Sequence, residues 1–255
     1  MFQKATFHTY QILLMKMKNK LCIILLFTFI VSDQKPEKTY YGNWPVNIEK
    51  PENLPDSNIN CPGETGCSCE SDKDCINNNC TTMPKGKYCT PKNGEIFPDF
   101  IAIDQFGDNV SIYDFSGHNK YILIEIGASW CTPCHEIAEW LTYDDKKVLK
   151  RKWFKDEYKL IRELIQNDEI YYIKVIFEDR NRNNATYDTL YDWYQKYPDD
   201  KIPILADSER FLHTWVKPTG LPTTILLNDK MEIEVFSTRG INAAFNKVTE
   251  IHSNE

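Results

Sequence analysis

Cys131 and Cys134 stand two residues apart in the run Trp130-Cys131-Thr132-Pro133-Cys134-His135. On the first turn of a helix, thiols at this spacing can close and reopen a small disulfide. A thiol at the helix N-terminus is also drawn toward thiolate by unpaired N–H groups and the positive end of the macrodipole. Cys131 is therefore the expected nucleophile, and Cys134, one turn inside, the thiol that resolves a mixed disulfide. Pro133 suits the first turn, where its missing N–H has no intrahelical partner to lose. Glu125 stands six residues before Cys131 in an otherwise apolar stretch. A lone buried carboxylate is costly, so Glu125 either handles a proton or points to solvent at a strand edge. Trp130 either shields the dithiol beneath a substrate or belongs to the core.

Six further cysteines, Cys61, Cys67, Cys69, Cys75, Cys80 and Cys89, lie in a polar segment with almost no aliphatic residues. Such a segment cannot build an apolar core, so cross-links or a metal must hold it. No histidine lies within it, and thiolates oxidise outside the cytosol, so three disulfides are expected in preference to a zinc knot. Fifteen pairings are open to six cysteines, and spacing does not choose among them.

The 255 residues carry 30 Lys and Arg against 37 Asp and Glu, a net charge of −7, and 42% are hydrophobic. That supports a globular core and argues against nucleic-acid binding, which needs cations to neutralise phosphates. Proteins or small molecules are the expected partners. The first 32 residues hold Lys4, Lys16, Lys18 and Lys20 and no carboxylate, ahead of an apolar run at 21–31, the order of a secretory signal. Eleven apolar residues are too few for the ~20 that a spanning helix needs. An uncleaved anchor through residues 12–31 is the alternative, because cleavage after Ser32 is poorly marked, and only then would the protein touch a membrane. Cys22 opens the run instead of following it, so no lipoprotein attachment is read. The expected location is extracytoplasmic, periplasmic in a cell that has a periplasm.

The elements that must position the dithiol follow from hydrophobic periodicity. Residues 33–60, with Pro36, Pro45, Pro51 and Pro55 and no periodicity, read as a linker; 61–90 form the cysteine-rich module and 91–255 an α/β domain. A hairpin is expected from 100–103 and 110–112 around Gly107-Asp108, then a buried strand at 121–127. A helix begins at Cys131, with Ile137, Trp140 and Leu141 on one face. Helices are expected at 155–166, 187–197, 208–216 and 241–251. Strands are expected at 170–177, 202–205, 223–227 and 232–236, the last two joined by Asn228-Asp229-Lys230. The alternation implies a central mixed sheet flanked by helices on both faces.

With these residues in place, the chain resembles the thioredoxin superfamily, most closely its exported ResA-like and TlpA-like thiol-disulfide oxidoreductases. The likeness covers residues 94–252. It rests on Gly94-Glu95-Ile96-Phe97-Pro98-Asp99-Phe100, on Trp130 to Cys134, and on Gly220-Leu221-Pro222-Thr223. The resemblance implies a thioredoxin-like fold with an N-terminal β-hairpin, here preceded by a small disulfide-rich module. It implies a cis Pro222 packed against the dithiol, a Leu221 backbone that pairs with substrate, and a Glu125 that exchanges a proton with the buried thiol. It further implies reduction of protein disulfides, a membrane-bound electron donor, and no cofactor or metal beyond the redox-active cysteines.

Three rivals share parts of the pattern. Cys131 to His135 spells the C-x-x-C-H signature of c-type haem attachment, but the internal proline and the strand-to-helix setting favour a redox site in which His135 tunes the Cys131 thiolate. A Sco-like copper chaperone uses cysteines three residues apart plus a distant histidine, a part open to His213; the two-residue spacing argues against it. A peroxiredoxin needs a proline upstream that the residues before Cys131 do not supply. A non-catalytic binding module on the same fold is the alternative of a different class. Residues 143–159 depart from the family in length and are locally basic. Asp144, Asp145, Asp156 and Glu157 make a solvated charged face the favoured reading over a docking patch. Sequons at Asn79, Asn109 and Asn184 carry no further weight.

Overall fold

The computed structural model describes residues 38–253 except residues 48, 51–53 and 55–57. The leader, cleaved or anchoring, lies outside the described residues, among which no helix is long and apolar enough to cross a membrane. Lys38–Glu255 form one compact unit.

The cysteine-rich segment carries an antiparallel hairpin, β1 (Cys80–Met83) and β2 (Gly86–Cys89), with Cys80 opposite Cys89. The Thr-rich strand and the Pro84-Lys85-Gly86 turn encode it locally. The pairings left open by spacing are Cys61–Cys67, Cys69–Cys80 and Cys75–Cys89. Cys69, Cys75 and Cys89 are buried together, so half-cystines replace the aliphatic core this segment lacks. A second hairpin follows, β3 (Ile101–Ile103) with β4 (Asn109–Ser111), turned by Gly107 at φ 94°.

The main sheet alternates with helices: β5 (Ile122–Gly127), α1 (Thr132–Tyr143), α2 (Lys159–Gln166), β6 (Tyr171–Ile176), α3 (Tyr187–Lys196), β7 (Ile204–Ala206), α4 (Phe211–Val216), β8 (Thr223–Leu227), β9 (Ile233–Phe236) and α5 (Asn242–His252). The strand order is β7-β6-β5-β8-β9. β5, β6 and β7 are parallel, while β8 runs antiparallel to β5 and β9 antiparallel to β8. A parallel βαβ unit followed by an antiparallel ββα unit, with a dithiol after the central strand, is the thioredoxin-like fold. All six residues of β5 are buried, which is why it reads as a continuous apolar run. Ile122, Ile124 and Ile126 face a core shared with Phe97, Leu212 and Trp215. Leu123 faces the other core, with Trp140 of α1, Ile161 of α2 and Phe245 of α5.

Two expectations change. The described part of 33–60 is not a free linker: Tyr40 and Trp44 are buried in the core, the Trp44 indole donates to Asp104 Oδ2 at 2.7 Å, and the Tyr40 hydroxyl donates to Asp114. Single aromatic anchors hold this proline-broken stretch, and they leave no periodicity to read. Residues 143–159 are only partly a solvated face. Lys147 pairs with Glu139 at 3.0 Å and Lys159 with Asp156 at 2.8 Å, yet Val148, Phe154 and Tyr158 bury into the core.

Asp207, just past β7, is 1% exposed and accepts the His213 backbone N–H at 2.8 Å through Oδ2. Burial pushes its carboxyl up to about 6, against the pull of N–H groups at His213, Leu212 and Phe211. Because the native state binds this proton more tightly than the unfolded chain does, stability falls as pH rises from about 4 through about 6. Asp207→Asn, which keeps an acceptor, is expected to raise the Tm above pH 6 and to lose that gain near pH 4; a gain independent of pH contradicts the assignment. Replacing Cys75 and Cys89 together with Ala is expected to cost about 2–4 kcal/mol in denaturant unfolding.

Candidate dithiol active site

After Gly127 the chain leaves the sheet in a tight turn. The Cys131 N–H bonds the Ala128 carbonyl at 3.0 Å, and the Ser129 N–H bonds the Glu178 carbonyl at 2.9 Å. Cys131 is the N-cap of α1, one residue outside the helix, and its sulfur accepts the Cys134 N–H at 3.3 Å. No carboxylate occupies the first turn, so nothing competes for the positive end of the helix. Cys131 and Cys134 form a disulfide and are 3% and 0% exposed. Burial of Ile137, Trp140 and Leu141 holds the helix, and with it the dithiol, against the sheet.

Glu125 is neither at an edge nor in solvent. It sits on the central strand opposite Lys174 of β6 and Thr224 of β8, 1% exposed. Lys174 Nζ donates to Glu125 Oε1 at 2.5 Å, and the Tyr172 hydroxyl donates to Oε2. Residues 172 and 174 share a face of β6, so hydroxyl and ammonium converge on one carboxylate. Burial lowers the Lys174 pKa against the pull of Glu125; burial and the same carboxylate raise that of Tyr172 well above its ordinary value. Gly127, two residues on from Glu125, leaves a gap that both groups face: a Cβ there would lie 2.6 Å from Lys174 Nζ and 2.8 Å from Cys134 Sγ. The buried ion pair therefore adjoins the buried sulfur. A cavity of about 20 Å³, enough for one water, touches Glu125, Tyr172 and Lys174.

Cys131 opens onto a groove of about 700 Å³ lined also by Trp130, Pro133, His213, Gly220 and Leu221. Thr132, exposed, lies on the same rim. The Leu221–Pro222 peptide is cis, Pro222 is buried, and its carbonyl accepts the Gly240 N–H at 2.7 Å. The Leu221 backbone makes no backbone hydrogen bond among the described residues. Trp130 is 36% exposed; its indole donates to Glu178 Oε2 at 2.6 Å, and the Arg182 guanidinium lies 4.2 Å from its ring centre. Arg210 pairs with the other Glu178 oxygen at 2.9 Å.

His135 turns away from Cys131. Its Nδ1 bonds the Tyr197 hydroxyl and its Nε2 the Ser129 carbonyl, each at 2.8 Å, and its ring stacks on Trp193 at 4.6 Å. Both ring nitrogens are thereby engaged, and burial lowers the imidazole pKa. The ring pins α1 to α3 and makes no hydrogen bond to the Cys131 sulfur. His213 does reach the groove and packs on Phe177 at 4.3 Å. Cys131, Cys134 and His213 are not gathered at metal-binding distance. Among the described residues the one such trio is Cys69, Cys75 and Cys80, within 4.8 Å, and each of these is in a disulfide.

Sequence reasoning missed Lys174, Tyr172, Glu178, Arg182, Arg210 and Lys85. Lys174 had a signal: it interrupts an apolar strand as Glu125 does, and two opposite charges in adjacent buried strands satisfy each other. The rim residues had none, since they meet only through the fold.

No protein-family model matches the sequence, and no curated protein matches it. Solved structures do. The chain is similar to the thioredoxin domain of a thiol-disulfide oxidoreductase from Bacteroides vulgatus, at 20% identity and TM-score 0.42 over 64% of this chain and 99% of that one. It is similar to a thiol:disulfide interchange protein from a Bacteroides species, at 18% and 0.42 over 62% and 89%. It is similar also to the exposed lipoprotein thioredoxin of Streptococcus pneumoniae, at 16% and 0.41 over 60% and 98%. At such identities the function has to be argued from the chain's own residues.

Lys174→Met alone strands Glu125 and is expected to cost about 3–5 kcal/mol in urea unfolding, whereas Glu125→Gln with Lys174→Met recovers most of it. Additive losses would contradict a coupled pair.

Proposed function

We propose that the protein is an extracytoplasmic thiol-disulfide oxidoreductase that reduces protein disulfides through Cys131 and Cys134. The observation that carries this reading is the dithiol at the N-cap of α1, facing an open groove beside Leu221 and backed by the buried Glu125–Lys174 pair. In the reduced protein, the Cys131 thiolate attacks one sulfur of a substrate disulfide. A bond forms between Cys131 and that sulfur, the substrate S–S bond breaks, and the departing sulfur takes a proton. Cys134 then gives its proton to Glu125 and attacks the Cys131 sulfur. The Cys131–substrate bond breaks, the second substrate sulfur departs and takes a proton from water, and the Cys131–Cys134 bond closes, two electrons having passed to the substrate.

Lys174 pairs with the Glu125 carboxylate at 2.5 Å, on the side of the sheet where Cys134 packs. The Leu221 backbone, which has no backbone partner among the described residues, suits an extended substrate segment added as a strand. A dithiol carrier, membrane-bound by the resemblance, returns the electrons. The leader and the three disulfides of the cysteine-rich segment support an oxidising compartment.

Cys131→Ser is expected to abolish reduction of a disulfide peptide, with dithiothreitol as electron source, without lowering the Tm. Cys134→Ser is expected to accumulate a mixed disulfide on non-reducing gels. Biological activity that survives Cys131→Ser would instead support the binding-module reading. Glu125→Gln is expected to slow turnover about 100-fold and to move the rising acid limb of the pH–rate profile to higher pH, where Cys134 loses its proton unaided; an unchanged profile would remove Glu125 from the proton path.

A further inference from the structure

Part of the groove rim comes from the disulfide-rich segment. Lys85, in the turn between β1 and β2, lines the same groove as Cys131. The segment is seated on α4 at two points. A Cβ at Gly66 would lie 2.8 Å from the Thr214 carbonyl oxygen, and the Lys217 ammonium rests 4.7 Å from the centre of the Tyr88 ring on β2. The hairpin that carries Lys85 is thus held by packing and by two cross-links, Cys69–Cys80 and Cys75–Cys89.

The groove is cationic in an acidic chain. Of its lining residues only Glu178 is a carboxylate, and its two oxygens already take Arg210 at 2.9 Å and the Trp130 indole at 2.6 Å. Lys85 and Arg182 line the groove with no carboxylate partner among the described residues. Arg182 is pre-positioned over the ring of Trp130, the residue next to Cys131, with its guanidinium carbon 4.2 Å from the ring centre. His213, inside the groove, has its pKa held down first by burial and then by Arg210, Lys217 and Lys85, with Glu178 opposing. A volume of about 700 Å³ takes several residues of an extended chain.

Resting on the oxidoreductase reading above, we infer that the disulfide-rich segment is a substrate-selecting part of the redox groove, in which Lys85 and Arg182 receive the carboxylate of an Asp or Glu flanking the substrate cysteine in an extended polypeptide. The same two cations favour the reaction they admit. As Cys131 bonds to the flanked cysteine, the partner sulfur departs carrying negative charge, and nearby cations make it a better leaving group before it takes a proton from water. The electrons come from the Cys131–Cys134 dithiol.

The test uses the full chain with dithiothreitol as reductant and two disulfide peptides that differ only in Glu or Lys flanks. Uncharged 2-hydroxyethyl disulfide and glutathione disulfide are the further probes. At low ionic strength the acidic peptide is expected to exceed the basic one about tenfold in kcat/KM, and molar salt is expected to erase the difference. Lys85→Glu is expected to collapse that ratio and Lys85→Arg to keep it. Equal rates for the two peptides, while 2-hydroxyethyl disulfide is still turned over, overturn the inference and leave the redox reading standing. No turnover of any probe overturns both. Glutathione disulfide outcompeting the acidic peptide overturns the polypeptide as occupant.

Discussion

A carboxylate in the central strand of a sheet covered on both faces is costly to bury, and a cation and a hydroxyl on the same face, Lys174 and Tyr172, offset that cost for Glu125. The pairing register of β5 and β6 sets these two residues directly opposite each other. It also fixes the residue above them as glycine, because any side chain at 127 would collide with both the ammonium and the Cys134 sulfur. Cys134 can lie over the sheet only because that space is left open. The buried pair and the approach of Cys134 to the sheet thus share the space left open at Gly127.

At the opposite end of the motif the N-cap position sets the Cys131 sulfur, 3% exposed, at the floor of the groove while the apolar face of α1 is buried. Trp130, Glu178 and Arg210 form a hydrogen-bonded rim that fixes the tryptophan beside Cys131. His135 ties the same turn to α3. The geometry separates the two sulfurs by surroundings, one toward the groove and one toward the buried charge.

Much of this was legible in the sequence because it is local. The C-x-x-C spacing, the strand before it and Glu125 all lie within short windows whose periodicity or residue type carries the signal, while the Leu221-Pro222 pair stood out only through the family resemblance. Strand and helix positions followed for the same reason. What was not legible depends on pairing across the fold. Glu178 and Trp130 are 48 residues apart and Lys174 and Glu125 are 49, and no periodicity links either pair. The disulfide partners were closed to reading because all six cysteines fall in one short segment. Tyr40 and Trp44 escaped because isolated anchors in a proline-rich stretch look the same whether they are packed or free.

The reductant reading is tested most directly by the Cys131–Cys134 reduction potential, measured by equilibrating the protein in dithiothreitol or glutathione buffers and following Trp130 fluorescence. The account predicts a value at or below about −250 mV, near the thioredoxin end of the scale, as a reductant fed by a dedicated donor requires. A value near about −120 mV, where the dithiol form is the stabilised one, would make the protein an oxidant that installs disulfides and would contradict the direction of transfer.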